Sequence, residues 1–199
     1  MQILRRDSLH RGGFAGLRET RLIVDNKIGG KNDTWNGLGS FIYLADARFL
    51  PQGETHMHPH RAQRAGGEGF VHNEINPDLD ENRMLQIWAL PETAGEPASY
   101  KFYDLKKDKM VRVYGGNKSQ NVTLDSHTII EVGLLSKNNN VTQEGEFIAY
   151  ITCGEGILNG VEVKDGDLVR DEDLDFTALS DDVHLSLIYL NTVNEQRSI

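Results

Sequence analysis

The least random feature of the sequence is a cluster of histidines near its middle. Four of the seven histidines fall between positions 56 and 72, at His56, His58, His60 and His72. In an extended strand, alternate side chains lie on one face, about 6.6 Å apart along the backbone. Two imidazoles spaced like His58 and His60 can therefore converge on a single metal ion.

A second pair of candidate ligands follows twelve residues beyond His60. His72 and Glu74 are again separated by one residue, so a strand would place both on one face. Three imidazoles and one carboxylate form a mixed nitrogen and oxygen set, which suits Fe(II) and also accepts Mn, Ni, Cu or Zn. Such a set leaves coordination positions open for a substrate or dioxygen. A histidine-rich loop that binds nothing is the alternative interpretation.

The segments that must position these residues are short, apolar and rich in β-branched and aromatic side chains. Several alternate with period two between turn residues, as in His184–Leu190, which predicts β-strands. No stretch of about 12 residues carries a capped helical stripe. We therefore predict an all-β chain. The predicted strands cover Arg21–Val24, Ser40–Leu44, Met84–Leu90, Met110–Tyr114, Thr128–Leu134, Phe147–Cys153 and His184–Leu190.

Turn signals are clearest in the second half of the chain. Asn159-Gly160 and Asp165-Gly166 favour hairpins because asparagine, aspartate and glycine tolerate positive φ. They predict a meander of short antiparallel strands from Phe147 to Leu179. A composition shift between Pro91 and Asp108 predicts a crossover between two β units.

The charge balance excludes several function classes. Lys plus Arg is 21 and Asp plus Glu is 30, a net charge of −9, whereas binding to nucleic acid or anionic lipid needs a basic surface. No apolar run approaches the ~18 residues of a membrane span, and the N-terminus lacks an apolar core of signal-peptide length. Cys153 is the single cysteine, so no intrachain disulfide forms. We expect a cytoplasmic protein without nucleic-acid or membrane partners.

Three ordered motifs resemble the pirin family. They are His-Pro-His-Arg at 58–61, an Ala-Gly-rich element at 64–74 that ends in His-Asn-Glu, and Gln-Ile-Trp-Ala-Leu-Pro at 86–91. The second motif has one additional residue, and Asn73 replaces the usual serine. The Gly154–Asp167 segment is similar to the second, usually metal-free cupin of pirins. The resemblance covers most of the chain, with its specificity in the central motifs.

The resemblance implies a bicupin, two small β-barrels of the double-stranded β-helix type in tandem. An N-terminal cupin over residues 1–107 would hold the metal, and a C-terminal cupin over 108–199 would be metal-free. Carried over position by position, the metal ligands are His58, His60, His72 and Glu74, while His56 is a rim residue. Fe(II) is the favoured cofactor, with Mn, Ni, Cu and Zn as alternatives.

Pirins include quercetin 2,3-dioxygenases and regulatory proteins, so the resemblance implies two functions. The first is an iron-dependent dioxygenase acting on a small aromatic or enol substrate, with Glu74 as both ligand and catalytic proton acceptor. The second is a non-catalytic stress-responsive or regulatory bicupin that acts through a protein partner or a redox-active Cys153. A buried, inert Cys153 and a degenerate cupin without metal are the competing interpretations.

The sequence departs from the pirin pattern in one place. Only eleven residues, Arg61–Val71, separate His60 from His72, whereas pirins have a further strand and a hairpin here. Either the first barrel has lost strands, or residues are missing from the chain near 61–63. We favour missing residues, which predicts a Cα–Cα step far above the trans-peptide value of about 3.8 Å between Arg61 and Gln63.

Overall fold

The computed structural model of the protein describes residues 1–5, 20–28, 34–38, 42–46, 50–51, 60–64, 71–75, 82–89 and 99–190. All regular secondary structure within these ranges is β-strand, which confirms the all-β prediction. In this part of the chain no helix could span a membrane. The strands are β1 (Gln2–Leu4), β2 (Thr20–Ile28), β3 (Thr34–Leu38), β4 (Ile42–Asp46), β5 (Leu50–Pro51), β6 (His60–Arg64), β7 (Val71–Ile75), β8 (Asn82–Ala89), β9 (Ser99–Tyr103), β10 (Met110–Gly116), β11 (Ser126–Leu135), β12 (Asn140–Cys153), β13 (Glu155–Leu158), β14 (Val161–Lys164), β15 (Leu168–Ala178) and β16 (Val183–Leu190).

The strands from β2 to β9 form two sheets, and those from β10 to β16 form a third. The five-stranded sheet has the order β2-β8-β4-β6-β9, and the three-stranded sheet has the order β3-β7-β5. The eight-stranded sheet has the order β10-β11-β16-β12-β15-β13-β14, with β1 paired to β15. Every strand pair is antiparallel. The N-terminal three-residue strand thus belongs to the sheet built by the second half of the chain.

One sequence-based expectation about connectivity is wrong, and another is incomplete. The segment from Phe147 to Leu179 is antiparallel but not a meander, because β12 pairs with β15 while the β13–β14 hairpin folds onto the other edge of β15. The predicted crossover between Pro91 and Asp108 contains a strand, β9, which pairs with β6. Five residues are too few to show a clear period-two alternation, and the preceding Pro91 and Pro97 favoured a loop.

Missing residues near 61–63 stay a prediction, although β6 covers these positions. β6 runs without interruption from His60 to Arg64, in continuous register with Ser99–Tyr103 of β9. It also pairs with Ile42–Leu44 of β4 on its other edge. Arg61–Gln63 thus belong to a strand that has a partner on each edge. The boundary between residues 107 and 108 stays a prediction, although β1 crosses it by pairing with β15.

Alternation along the strands builds two buried clusters on opposite faces of the eight-stranded sheet. In β16, Ile188 belongs to the first cluster, and Leu185, Leu187 and Tyr189 belong to the second, as the period-two pattern predicts. The first cluster also includes Leu85, from β8, and so joins the five-stranded sheet to this face. The second is built almost entirely from residues of the eight-stranded sheet. Its fully buried members include Phe147, Ile151, Leu158, Phe176 and Leu185.

Candidate metal centre

The candidate ligands that the structure describes lie on two strands, β6 and β7. His60 begins β6 and is in register with Leu44 of β4 and with Tyr103 of β9. Tyr103 is buried in the cluster that joins the sheets. His58 and His56 lie outside the described residues, so their predicted roles as ligand and rim residue stay predictions.

His72 and Glu74 occupy alternate positions of β7, as their spacing predicts. His72 is in register with Gly37 of β3, and Glu74 with Trp35. On the other edge of β7, Glu74 is in register with Pro51 of β5. Residues two apart in a strand lie on one face, so β7 keeps these two candidate donors on a common face.

The strand pairing limits how the two halves of the candidate ligand set can meet. β6 has β4 on one edge and β9 on the other, and β7 has β3 and β5 on its edges. Neither strand has a free edge for the other among the described pairings. Donors from β6 and β7 can therefore share an ion only across facing sheets, and not as neighbours within one sheet.

Hydrophobic side chains fill most of the interior beside the eight-stranded sheet. Phe147 and Phe176 are fully buried there, together with Leu158 and Val169. Within residues 1–5 and 99–190, no three His, Cys, Asp or Glu side chains lie close enough to hold a metal ion. A metal-free second cupin stays a prediction.

Cys153 lies at the end of β12, in register with His184 of β16. The thiol residue is half-buried rather than fully buried, and His184 is also half-buried. The register is interrupted between Ile151 and Cys153, which removes Cys153 from the regular alternation of the strand. A redox role for this thiol stays a prediction.

Sequence inspection missed a buried ion pair that joins the first strand to the second half of the chain. Asp167 is fully buried, and its carboxylate accepts a hydrogen bond from the Lys164 backbone N–H at 2.9 Å and pairs with the Arg5 guanidinium. Arg5 also donates to the backbone carbonyl oxygen of Glu162 at 3.1 Å. No local signal could have revealed this pair, because its members are 162 residues apart.

Burial and hydrogen bonds shift the pKa values of several ionisable groups between residues 103 and 189. Burial raises the pKa of Tyr189 to about 12, and the neighbouring Glu131 carboxylate contributes to the rise. Burial also raises the pKa of Tyr103. Asp108 has its pKa lowered by hydrogen bonds from the Ser136 backbone N–H at 2.6 Å and from the Ser136 hydroxyl at 3.2 Å. Within the described side chains none of these groups belongs to a cluster of metal donors.

The sequence was compared with those of known proteins. No protein-family model matches the sequence. A Pseudomonas aeruginosa protein named "Putative quercetin 2,3-dioxygenase PA1210" is 30% identical over an alignment of 130 residues that covers 59% of this chain and 56% of that protein. The chain thus matches little more than half the length of this curated relative.

Solved structures share the fold over nearly the whole chain. The bacterial pirin YhhW from Escherichia coli, in complex with nickel(II), superposes with a TM-score of 0.74 at 17% identity, over 95% of this chain and 98% of the pirin. Quercetin 2,3-dioxygenase from Acinetobacter baumannii superposes with a TM-score of 0.67 at 15% identity, over 96% and 86% of the two chains. The chain therefore has the all-β bicupin fold of these proteins, which confirms the resemblance carried by its motifs.

Proposed function

We propose that the protein is a mononuclear metal-binding bicupin whose ligands are His58, His60, His72 and Glu74. The placement of His72 and Glu74 at alternate positions of β7, within a bicupin fold, is the observation that carries this proposal. His60, at the start of β6 in the five-stranded sheet, supplies a further donor. The donor set fits a divalent transition metal, because three imidazoles and a carboxylate are neither as soft as thiolates nor as hard as an all-oxygen site.

The chemistry proposed for this site is oxidation of a small aromatic or enol substrate, as in quercetin 2,3-dioxygenases. Fe(II) is the favoured ion, with Mn, Ni, Cu and Zn as alternatives. A bound ion would supply Lewis acidity toward the enol oxygen of the substrate. Glu74, as the single carboxylate of the set, would accept the enol proton, and the three imidazoles would hold the ion in place.

Metal content tests the ligand assignment directly. The full-length protein is reconstituted anaerobically with Fe(II), freed of unbound ion and analysed by inductively coupled plasma mass spectrometry. We expect close to one ion per wild-type chain, and strong loss in H72A and E74A. H127A is the matched control, because His127 is exposed on β11. Equal metal content in H72A, E74A and H127A would contradict the assignment.

Turnover tests the enzymatic part separately. Loss of quercetin absorbance and consumption of dioxygen are followed for the reconstituted wild type, the metal-stripped wild type and E74Q. We expect turnover only in the reconstituted wild type. The proposed reaction needs the metal to polarise the enol oxygen and Glu74 to accept the enol proton. Full activity after metal removal refutes a metal-dependent reaction, while metal binding without turnover would support the regulatory bicupin instead.

The half-buried state of Cys153 favours one form of that second candidate, a redox-responsive regulatory protein. A reactive thiolate needs access to solvent and to an oxidant. Alkylation of the native protein with iodoacetamide, followed by mass spectrometry, measures this access. Modification only after unfolding would remove the thiol from consideration.

A further inference from the structure

The tip of the β13–β14 hairpin is a two-residue turn made by Asn159 and Gly160. Both residues have positive φ, +46° and +79°, as a type I′ turn requires. Gly160 is exposed, and a Cβ placed on it would meet no described atom within 4 Å. The turn is therefore open to water on the side of its glycine.

The side chain of Asn159 is held against β15 by three hydrogen bonds. Its Nδ2 donates to Asp171 Oδ2 at 2.8 Å and to the Glu172 carbonyl oxygen at 3.2 Å. Its Oδ1 accepts from the Asp175 backbone N–H at 2.7 Å. The Asn159 backbone N–H also donates to the Asp175 carbonyl oxygen at 2.9 Å. This cage fixes the amide on a neighbouring strand, away from the backbone that follows it.

An asparagine followed by glycine is chemically labile, because glycine lacks a side chain that would obstruct attack by its own backbone nitrogen. We propose that Asn159 is a deamidation site of the native protein, and that release of its amide from Asp171 controls the rate. In the reaction the Gly160 nitrogen bonds to Asn159 Cγ, the Cγ–Nδ2 bond breaks, and ammonia leaves with the Gly160 amide proton. Water then opens the resulting succinimide to aspartate or isoaspartate.

The modification cannot be accommodated by the same cage. A carboxylate at position 159 would face the Asp171 carboxylate and the Glu172 carbonyl oxygen, where an NH₂ group now donates to both. Two donor contacts would become acceptor–acceptor contacts, and two negative charges would lie side by side. Deamidation would therefore break the hydrogen bonds that hold the hairpin tip to β15, and the change would be irreversible.

Variants of the two aspartates separate this cage from general charge effects. D171A removes one of the two acceptors of Asn159 Nδ2 and also the partner of the Met1 amino group, whereas D175A removes an equal charge but keeps the backbone N–H that holds Asn159 Oδ1. Loss of the charge that pairs with Met1 is measured separately in D171N. D171N keeps an acceptor oxygen at position 171. Loss of a hydrogen bond to a charged group corresponds to roughly a tenfold larger population of the released amide. We expect deamidation about tenfold faster in D171A, and rates near wild type in D171N and D175A.

The rates are measured on full-length protein incubated at neutral pH, by peptide mass spectrometry with quantification of isoaspartate. Asn36-Gly37, which lies in β3, is the internal reference for opening of the whole chain. Acceleration at Asn159 alone supports local control by Asp171. Equal acceleration at both asparagines, equal acceleration in D171A and D175A, or no acceleration in D171A would each overturn the proposal.

Discussion

The pair between Arg5 and Asp167 makes a prediction about stability whose size follows from burial. The Asp167 side chain is fully buried, while the Arg5 side chain is 43% exposed. R5A would leave a buried carboxylate whose remaining donor is the Lys164 backbone N–H, and would also lose the hydrogen bond to the Glu162 carbonyl. Breaking a fully buried pair costs about 3–5 kcal/mol, and access of water to the vacated arginine position reduces this.

We therefore expect R5A to lower the free energy of unfolding by about 3 kcal/mol. For a domain of this size the corresponding decrease in Tm is roughly 6–12 °C. K107A is the matched control, because Lys107 and Asp182 form a 3.4 Å pair with side chains 58% and 66% exposed. Exposed pairs of this kind contribute about 0–1 kcal/mol.

A double-mutant cycle identifies the cause of the loss. If the stranded charge is responsible, D167N in the R5A background removes that charge and recovers part of the lost stability, because the amide oxygen it introduces still accepts from the Lys164 N–H. Thermal and urea unfolding are followed by far-ultraviolet circular dichroism on all four proteins of the cycle. The reasoning is refuted if R5A unfolds at the same temperature as K107A, or if the two substitutions are additive.

Three further predictions concern residues between 108 and 189. G156A would place a Cβ 2.4 Å from Phe176 Cε2 and Cζ, so it should destabilise by about 1–3 kcal/mol in thermal unfolding, with partial recovery in G156A/F176L. Because hydrogen bonds from Ser136 lower the folded pKa of Asp108, its contribution is present at neutral pH and lost as pH falls through that pKa. D108N should thus lower Tm at neutral pH but not in strong acid. E131Q should lower the pKa of Tyr189 from about 12, measured by alkaline absorbance titration against Y189F.

The sequence could predict what depends on local alternation. β16 shows this clearly, because Leu185 and Leu187 enter one buried cluster and Ile188 the other, as their spacing requires. The Asn159-Gly160 hairpin is equally local, since its two residues alone determine the turn. The class of fold and the positions of most strands follow from such short-range patterns.

Long-range pairing could not be obtained in this way. Nothing near β12 indicates that its partner is β15, some thirty residues later, rather than the adjacent β13. The candidate metal centre has the same limit. The spacing of His72 and Glu74 predicts that both lie on one strand face, but the packing of whole sheets determines how β7 lies relative to β6. The partners of β6, which are β4 and β9, could not be predicted from its own residues either.

The pairing of β1 with β15 determines which fragments of the chain can fold by themselves. Gln2–Leu4 supply an edge strand to Leu168–Arg170, and Arg5 secures it through Asp167. A fragment starting after Tyr103 would lack this strand and expose the backbone of β15 to other chains. Autonomous folding of the carboxyl-terminal half should therefore require the first five residues, supplied as a peptide or fused by circular permutation.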